Sequence, residues 1–432
     1  MKISKKMMPV IINAKNSAVN AADAVKLGVG RSAIGAWSAR ARSTAMPLAL
    51  ALGTLAGLSL SVVSLQVHAA PAVSGAPYLV GVSGPLTGQD AQYGEQWKRG
   101  FDLAVEDINA NGGIKGRPLA YDFEDSRSDP RQSIAIAQKF VSNPQVLLEL
   151  GDFSSAASMA ASPIYQRGKL VQFGFTNSHP DFTKGGDYMW STAITQSEEQ
   201  PLLSHFAVKQ LGFKKVAVLY LNTDWGQTSK NILTKTLTAD GAQVVAAEGY
   251  QPTDKDFRST LVRINEAKPD SIILISYYAD GAQIVRQARG AGLTQPIAAV
   301  GSVYSPQFLT LAGDSANGVY TQSNFFPQDP RPNVQAFVKH YEEKYHTEPG
   351  FYGARSYDAM MVAAYAFREA SADNRQAVHD ELAKIQDVPS VIFDKIRFDP
   401  QTRRVAGANT INLQVVDGKF ALWDKKPALV AK

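Results

Sequence analysis

Residues 78–113 read YLVGVSGPLTGQDAQYGEQWKRGFDLAVEDINANGG, and the order of features in this stretch decides the fold class. Tyr78–Val82 is a short apolar run of the kind that forms a buried strand. The apolar side chains after it recur at helical spacing and share one helix face: Trp97, Phe101, Ala104, Val105 and Ile108. Asn111-Gly112-Gly113 ends that helix. A buried strand followed by an amphipathic helix indicates a parallel sheet covered by helices.

The same strand–helix alternation continues beyond residue 113 and restarts after Gln196. The remaining strands are predicted at 119–123, 146–150, 170–173, 215–221, 243–247, 271–276, 297–300, 319–322 and 419–423. Two late helices are predicted at 334–345 and 352–370, and Asp129-Pro130 supplies the start of an earlier one. Polar linkers are predicted at 192–200 and 324–332. We therefore expect an α/β protein with two Rossmann-like lobes and a ligand cleft at their strand ends.

Composition excludes several classes of function. The chain has 432 residues, no cysteine and six histidines, so a cysteine nucleophile and a thiolate metal site are excluded. No spacing of the histidines is typical of a metal site, and no catalytic or nucleotide-binding glycine motif follows a predicted strand. The net charge of +5 comes from residues 1–69, because the remainder has 36 basic against 38 acidic residues. We expect no cofactor, no metal and no nucleic-acid partner.

Residues 1–69 have the layout of a secretory signal peptide. Arg40 and Arg42 precede an uncharged apolar run from Met46 to Leu65, and Val67-His68-Ala69 offers small residues where a signal peptidase cleaves. This pattern predicts cleavage before Ala70 and export of the remaining chain. The alternative is an uncleaved anchor, because the apolar run is about as long as a membrane span.

An ordered set of short motifs resembles one known family. The motifs are VGVSGPLTG (80–88), Tyr93-Gly94, AVEDINANGG (104–113), Thr176-Asn177, Asp224-Trp225-Gly226 and QIVRQARGAG (283–292). Together they resemble the leucine/isoleucine/valine-binding proteins, which are type I periplasmic solute-binding proteins of ABC transporters. The resemblance runs from about residue 78 to 423.

This resemblance implies two lobes that each use two parts of the chain. Lobe one would comprise residues 77–194 and 325–392, and lobe two residues 195–324 and 393–424, joined by a hinge of three crossovers. It also implies a monomeric, non-enzymatic periplasmic protein that captures a small ligand of the branched-chain amino acid class. Its partners would be a membrane permease and ATPase subunits.

For the ligand carboxylate, the family pattern points to the start of a helix and to the end of the fourth strand. The matching residues are Ser155, with Ser154 beside it, and Phe175-Thr176. The chemistry agrees, because a helix N-terminus presents free N–H groups and favours anions. The alternative for Ser154 is that it only caps the helix.

For the ligand ammonium, the family pattern uses a tyrosine and an acid on lobe two. The tyrosine matches Tyr277, but Gly301 stands where the amino-acid binders have the acid. A buried ammonium needs a counter-charge or several acceptors. Therefore either Asp280, Asp224 or Glu198 replaces the acid, or the ligand has no α-ammonium group.

Aromatic residues in loops after strands are candidates for the walls of the cleft: Tyr93, Phe153, Phe175, Trp225, Tyr277 and Tyr352. Because these side chains are large, an alternative ligand is an aromatic or aliphatic carboxylate or an amide. A further alternative is that the protein is an extracytoplasmic ligand sensor.

Glu124-Asp125 resembles a catalytic pair of carboxylates. Neighbouring residues on a strand point to opposite faces, so we expect these two side chains to make loop and cap hydrogen bonds instead.

Overall fold

The computed structural model describes residues 73–405, 407 and 410–423, which form an α/β fold of two lobes, each with its own principal sheet. This confirms the predicted fold class. The predicted signal peptide lies outside the described residues. Within the described part of the chain, no helix has both the length and the apolar character that crossing a bilayer requires.

The first sheet has five parallel strands in the order β2-β1-β3-β4-β5. The strands are β1 (Tyr78–Gly84), β2 (Leu119–Asp125), β3 (Val146–Gly151), β4 (Val171–Phe173) and β5 (Met189–Trp190). The helices between them are α1 (Ala91–Ala110), α2 (Pro130–Ser142) and α3 (Ser155–Arg167). The predicted helix face is buried as expected, since Trp97 and Phe101 are inaccessible to solvent. Asp129 caps α2 by accepting a hydrogen bond from the Arg131 N–H.

The second sheet has seven strands in the order β16-β15-β10-β9-β8-β6-β7. Five are parallel: β6 (Lys215–Leu221), β7 (Gln243–Tyr250), β8 (Ser271–Ile275), β9 (Ile297–Ala299) and β10 (Val319–Ser323). The antiparallel pair β15 (Ile411–Val416) and β16 (Lys419–Leu422) completes one edge. The accompanying helices are α4 (Gln196–His205), α5 (Asp224–Asp240), α6 (Arg258–Glu266), α7 (Tyr278–Gly290) and α8 (Pro306–Ala312).

The chain then returns to the first lobe. This return contains α9 (Pro332–Tyr345), α10 (Phe351–Glu369), α11 (Arg375–Leu382), β11 (Val388–Pro389), β12 (Lys395–Ile396), β13 (Phe398–Asp399) and β14 (Arg404–Val405). Phe367 on α10 stacks on Tyr78 of β1 with ring centroids 5.6 Å apart. Because α1 and α10 pack side by side, the returning helices cover one face of the first sheet.

The chain passes between the lobes three times: after β5, after β10 and before β15. The exact lobe boundaries stay a prediction. Phe398 packs on Phe173 of β4 at 5.9 Å, and Arg404 donates hydrogen bonds to the carbonyls of His179 and Ala193. These contacts favour a third crossing after Val405 rather than at residue 393.

Some local features differ from the sequence expectation. Residues 196–200 of the predicted linker are the first residues of α4, because Thr195 and Glu198 form a capping box that starts a helix there. Sequence reasoning missed the short strands β5 and β11–β14 and also strand β15, although residues 411–415 of β15 alternate strictly between apolar and polar side chains, the pattern of a half-buried strand. The second linker is confirmed, as β10 ends at Ser323 and α9 begins at Pro332.

Candidate ligand-binding site

A cavity of about 70 Å³ lies between the two lobes and opens partly to solvent. It is lined by residues of both lobes. Ser155 and Thr176 follow the first-lobe strands β3 and β4, whereas Tyr277 and Gly301 follow the second-lobe strands β8 and β9. The cavity therefore occupies the carboxyl ends of parallel strands, the usual place for a ligand in this architecture.

Most of the site residues expected from the sequence line this single cavity: Phe153, Ser155, Thr176, Trp225, Tyr277 and Gly301. Three do not line it. Ser154 is the N-cap residue of α3, but its side chain makes no capping hydrogen bond. The Phe175 ring is buried against Trp97, with centroids 4.4 Å apart, and its N–H donates to the Phe173 carbonyl. Tyr93 stands directly behind Phe153, with rings stacked at 4.0 Å.

Hydroxyl groups occupy the end of the cavity formed by the first lobe. Ser155 is the first residue of α3 and is only 3% exposed. The earliest N–H groups of a helix have no intrahelical partner, so those beside Ser155 are free to bind an anion. The Thr176 hydroxyl is buried and has no hydrogen-bond partner among the described residues. A carboxylate placed between them would satisfy these donors.

Aromatic rings form the opposite wall. Tyr277 stacks on Trp225 with centroids 5.0 Å apart and planes inclined by 27°, and it contacts the Phe153 ring at 5.1 Å. Burial raises the pKa of the Tyr277 phenol well above its ordinary value, so the hydroxyl keeps its proton and can donate a hydrogen bond. The wall suits an apolar side chain or a flat ring.

Two glycines at helix starts determine where the neighbouring aromatic residues, Tyr93 and Trp225, lie. Gly94 follows Tyr93 in the first turn of α1, and a Cβ at Gly94 would lie 1.8 Å from the Pro85 carbonyl oxygen. In the second lobe, a Cβ at Gly226, next to Trp225, would lie 1.8 Å from the Leu221 carbonyl oxygen. Each helix start therefore packs directly on backbone, and only glycine allows that approach.

Two charged residues of the cavity were missed by the sequence reasoning. Arg355 lies on α10, one turn after Tyr352, and Glu199 lies in the first half of α4. The i, i+3 spacing of Tyr352 and Arg355 on a predicted helix was a usable indication. Glu199 gave no such indication, because its segment was assigned to a linker.

Arg355 is held by groups of the first lobe and of the segment that crosses between the lobes after β10. It is 6% exposed, donates to the Phe175 carbonyl and to Asn324 Oδ1 at 3.1 Å each, and lies over the Phe351 ring at 4.3 Å. Burial lowers its pKa, partly offset by the negative charge of Glu199. Burial raises the pKa of Glu199 to about 7, with Arg355 acting in the opposite direction.

The acids that sequence reasoning offered as replacements at the ammonium end all lie outside the cavity wall. Asp280 is 1% exposed and accepts a hydrogen bond from Gln89 Nε2 at 2.8 Å. Asp224 lies 3.1 Å from His179 Nε2. Glu198 accepts from the backbone N–H and the hydroxyl of Thr195 within the capping box. The Glu124 and Asp125 carboxylates likewise make structural contacts, with Lys139 and with the N–H groups of residues 86 and 87.

Hydrogen bonds across the cleft hold the two lobes together. The Trp225 indole N–H donates to Ser178 Oγ at 3.2 Å, and the Tyr93 hydroxyl donates to the Ser302 carbonyl at 2.9 Å. Gln89 of the first lobe contacts both Asp280 and Lys255 of the second. The structure is therefore the closed form of a two-lobe protein, and the lobes must separate to admit a ligand.

Comparison with known proteins gives the class of the molecule. Residues 77–419 match the family model described as periplasmic binding protein, so the chain belongs to the periplasmic binding protein family. It is similar to the Leu/Ile/Val-binding protein homolog 1 of Brucella abortus (strain 2308), with 27% identity over 322 residues covering 74% of this chain and 85% of the relative. The resemblance found in the sequence is thus confirmed, and relatives of this kind are solute-binding proteins rather than enzymes.

Two solved structures share the fold. One is the branched-chain amino acid transporter substrate-binding protein LivJ of Streptococcus pneumoniae in complex with isoleucine (26% identity, 80% of this chain and 98% of that chain, TM-score 0.74). The other is a solute-binding protein of an ABC transporter from Rhodopseudomonas palustris BisB5 in complex with 3,4-dihydroxybenzoic acid (23% identity, 80% and 95% coverage, TM-score 0.72). At 23% identity, the similarity to the R. palustris protein shows a shared fold and nothing more.

Proposed function

We propose that this protein is the exported substrate-binding component of an ABC transporter and that it captures a small amino-acid-like ligand of the branched-chain class for uptake. The observation that carries the proposal is the interlobe cavity that Ser155 and the Thr176 hydroxyl, unpartnered among the described residues, share with an aromatic wall. One end suits a carboxylate and the other an apolar side chain. The isoleucine bound by the S. pneumoniae relative has both parts.

The proposal includes the partners and the location of the protein. A signal peptide comprising residues 1–69 would direct export to the periplasm, and the mature chain would act as a monomer. Closure of the lobes over the ligand would create the surface that a membrane permease recognises, and ATPase subunits of the same transporter would supply the energy.

A second candidate is a binder of aromatic or aliphatic carboxylates or amides that serves the same kind of transporter. The stacked rings of Trp225 and Tyr277 favour it, because they form a flat wall. The absence of an acid at Gly301 also favours it. A sensor that passes ligand occupancy to a membrane partner would use the same cavity.

Thermal-shift screening followed by isothermal titration calorimetry tests the proposal. The exported protein is screened against the twenty amino acids, their amides, and aliphatic and aromatic carboxylates. A ligand present at one hundred times its Kd adds about 2.7 kcal/mol to the free energy of unfolding and raises Tm visibly. We expect leucine, isoleucine or valine among the stabilising ligands, recovered unchanged after incubation. Stabilisation by benzoates alone supports the second candidate, and turnover of any ligand contradicts both.

A further inference from the structure

The cavity contains one positive and one negative side chain. Among the residues that line it, Arg355 on α10 and Glu199 on α4 are the ones with a formal charge. When Glu199 is ionised, their charges sum to zero. A zwitterionic ligand then leaves the closed cavity neutral, whereas a simple carboxylate adds one negative charge that only protonation of Glu199 can compensate.

Glu199 is available to a ligand. In the described part of the chain its carboxylate has neither a hydrogen-bond nor an ion-pair partner. Arg355 does not neutralise it by direct contact, because the guanidinium is held by the Phe175 carbonyl and Asn324 Oδ1. Glu199 is half-buried, and an unpaired carboxylate is unfavourable there, so burial raises its pKa to about 7. A cation from the ligand would remove this penalty.

A second acceptor lies beside Glu199. Gln200 also lines the cavity, is 2% exposed, and its Oε1 has no hydrogen-bond partner among the described residues. An ammonium group carries three donors, so a carboxylate and a neighbouring amide oxygen are a suitable pair of acceptors.

Position 301 cannot supply the acid. A Cβ at Gly301 would lie 2.9 Å from the carbonyl oxygen of Gln322, so even the first carbon of a side chain requires the backbone to move. Backbone of the second sheet therefore fills the space from which a carboxylate would otherwise project.

We propose that Glu199, assisted by Gln200, binds the ammonium group of a zwitterionic ligand and thereby selects α-amino acids over carboxylates that lack an amino group. The inference rests on the proposed function and names the residue that fixes its substrate class. It places the ammonium-binding acid on α4 at the first crossing, rather than at position 301 or at Asp224, Asp280 or Glu198.

The test compares Glu199→Gln with Glu198→Gln, a matched control that removes the neighbouring charge outside the cavity and keeps a capping side chain. Calorimetry measures Kd for two pairs of probes: L-isoleucine with 3-methylpentanoate, and L-phenylalanine with 3-phenylpropanoate. We expect the Glu199→Gln variant to bind the preferred amino acid about 10- to 100-fold more weakly. Its affinity for the deaminated probe should change less than about threefold, because that probe makes no ammonium contact. The Glu198→Gln variant should match the wild type for all four probes.

The outcomes separate the inference from the proposed function. If the wild type prefers an amino acid and Glu199→Gln keeps the same preference, the inference is wrong and the proposed function stands. If the wild type binds deaminated acids but no amino acid, both the role of Glu199 and the amino-acid form of the function are wrong. Glu199→Asp guards against misfolding, since it keeps the charge and should retain the preference for the amino acid over its analogue.

Discussion

The hydroxyl group of Tyr93 on α1 accepts a hydrogen bond from the backbone N–H of Tyr278 on α7, with 3.0 Å between oxygen and nitrogen. The same hydroxyl donates to the Ser302 carbonyl at 2.9 Å. Tyr93 belongs to the first lobe, and both of its partners belong to the second. This one buried side chain therefore connects the lobes, and it does so only when they are closed.

Replacing Tyr93 with phenylalanine should weaken ligand binding by about tenfold. The variant loses both bonds and leaves the Tyr278 N–H unpaired in the closed form, at a cost of about 1–2 kcal/mol. The stability of the ligand-free protein should change less than the ligand affinity, because the open form does not make these hydrogen bonds. Calorimetry and thermal denaturation measure the two effects. Tyr188→Phe is the control, since its hydroxyl bonds to Gln376 within the first lobe. Equal affinities of Tyr93→Phe and wild type would show that the tyrosine does not hold the closed form.

The double variant Ser155→Ala with Thr176→Ala should lose at least about 100-fold in affinity for any carboxylate ligand. Each hydroxyl would donate to a charged group, and such bonds contribute about 1.5–3 kcal/mol. Ser154→Ala is a close control, because its hydroxyl neither lines the cavity nor caps α3. Calorimetry with the best ligand from the screen provides the comparison. Undiminished affinity in the double variant would remove these residues from the carboxylate site.

Asp280 should favour ligand binding at low pH, so Asp280→Asn should lose affinity relative to the wild type as the pH falls from 7 to 5. Burial raises the pKa of Asp280 to about 6, and the negative charges of Asp90 and Asp254 act in the same direction, whereas Lys255 opposes them. Opening hydrates Asp280 and separates it from Asp90 of the first lobe, which removes two causes of the raised pKa and outweighs the loss of the Gln89 hydrogen bond, which lowers it. The pKa of Asp280 therefore returns towards about 4 in the open form. Because the pKa of Asp280 is higher in the closed form than in the open form, closure takes up a proton. Closing with an ionised Asp280 therefore costs free energy at neutral pH, and this cost disappears as the pH falls through 6.

The expected contribution of Asp280 between pH 7 and pH 5 is about tenfold, measured as the ratio of wild-type to variant affinity. Asp90, whose pKa burial also raises to about 6, and Glu199, whose protonation weakens ammonium binding, act in both proteins and cancel from this ratio. Titration of both proteins at half-unit intervals of pH gives the profiles. Parallel profiles for wild type and variant would mean that Asp280 is equally hydrated in both forms.

Sequence reasoning succeeded where the information is local. Apolar periodicity predicted the parallel strands, and the position of Ser155, Thr176 and Tyr277 just after strands predicted that they would meet. It failed for Glu199 and Arg355, because their approach to the cavity depends on how helices α4 and α10 pack at the cleft between the lobes. It also placed Phe175 and Tyr93 on the wall, although the Phe175 ring points into the core towards Trp97 and Tyr93 lies behind Phe153.

Gly94→Ala should be the most damaging of the small substitutions near the site. The new methyl group would lie 1.8 Å from the Pro85 carbonyl oxygen, so α1 must move away from the loop after β1. Overpacking of this kind costs about 1–3 kcal/mol. Since Tyr93 precedes Gly94, the displaced helix should also weaken the bonds to Tyr278 and Ser302 and lower ligand affinity.

Urea denaturation and calorimetry on Gly94→Ala measure both consequences, and Gly290→Ala is the matched control. Gly290 is also helical, but a Cβ there meets nothing within 4 Å, so alanine should leave stability unchanged or raise it by about 0.5–1 kcal/mol through its better helix propensity. Gly226→Ala repeats the experiment at the equivalent helix start of the second lobe, where it should displace Trp225. If Gly94→Ala and Gly226→Ala both lose stability but keep their ligand affinity, the helix starts support the fold without positioning the aromatic wall.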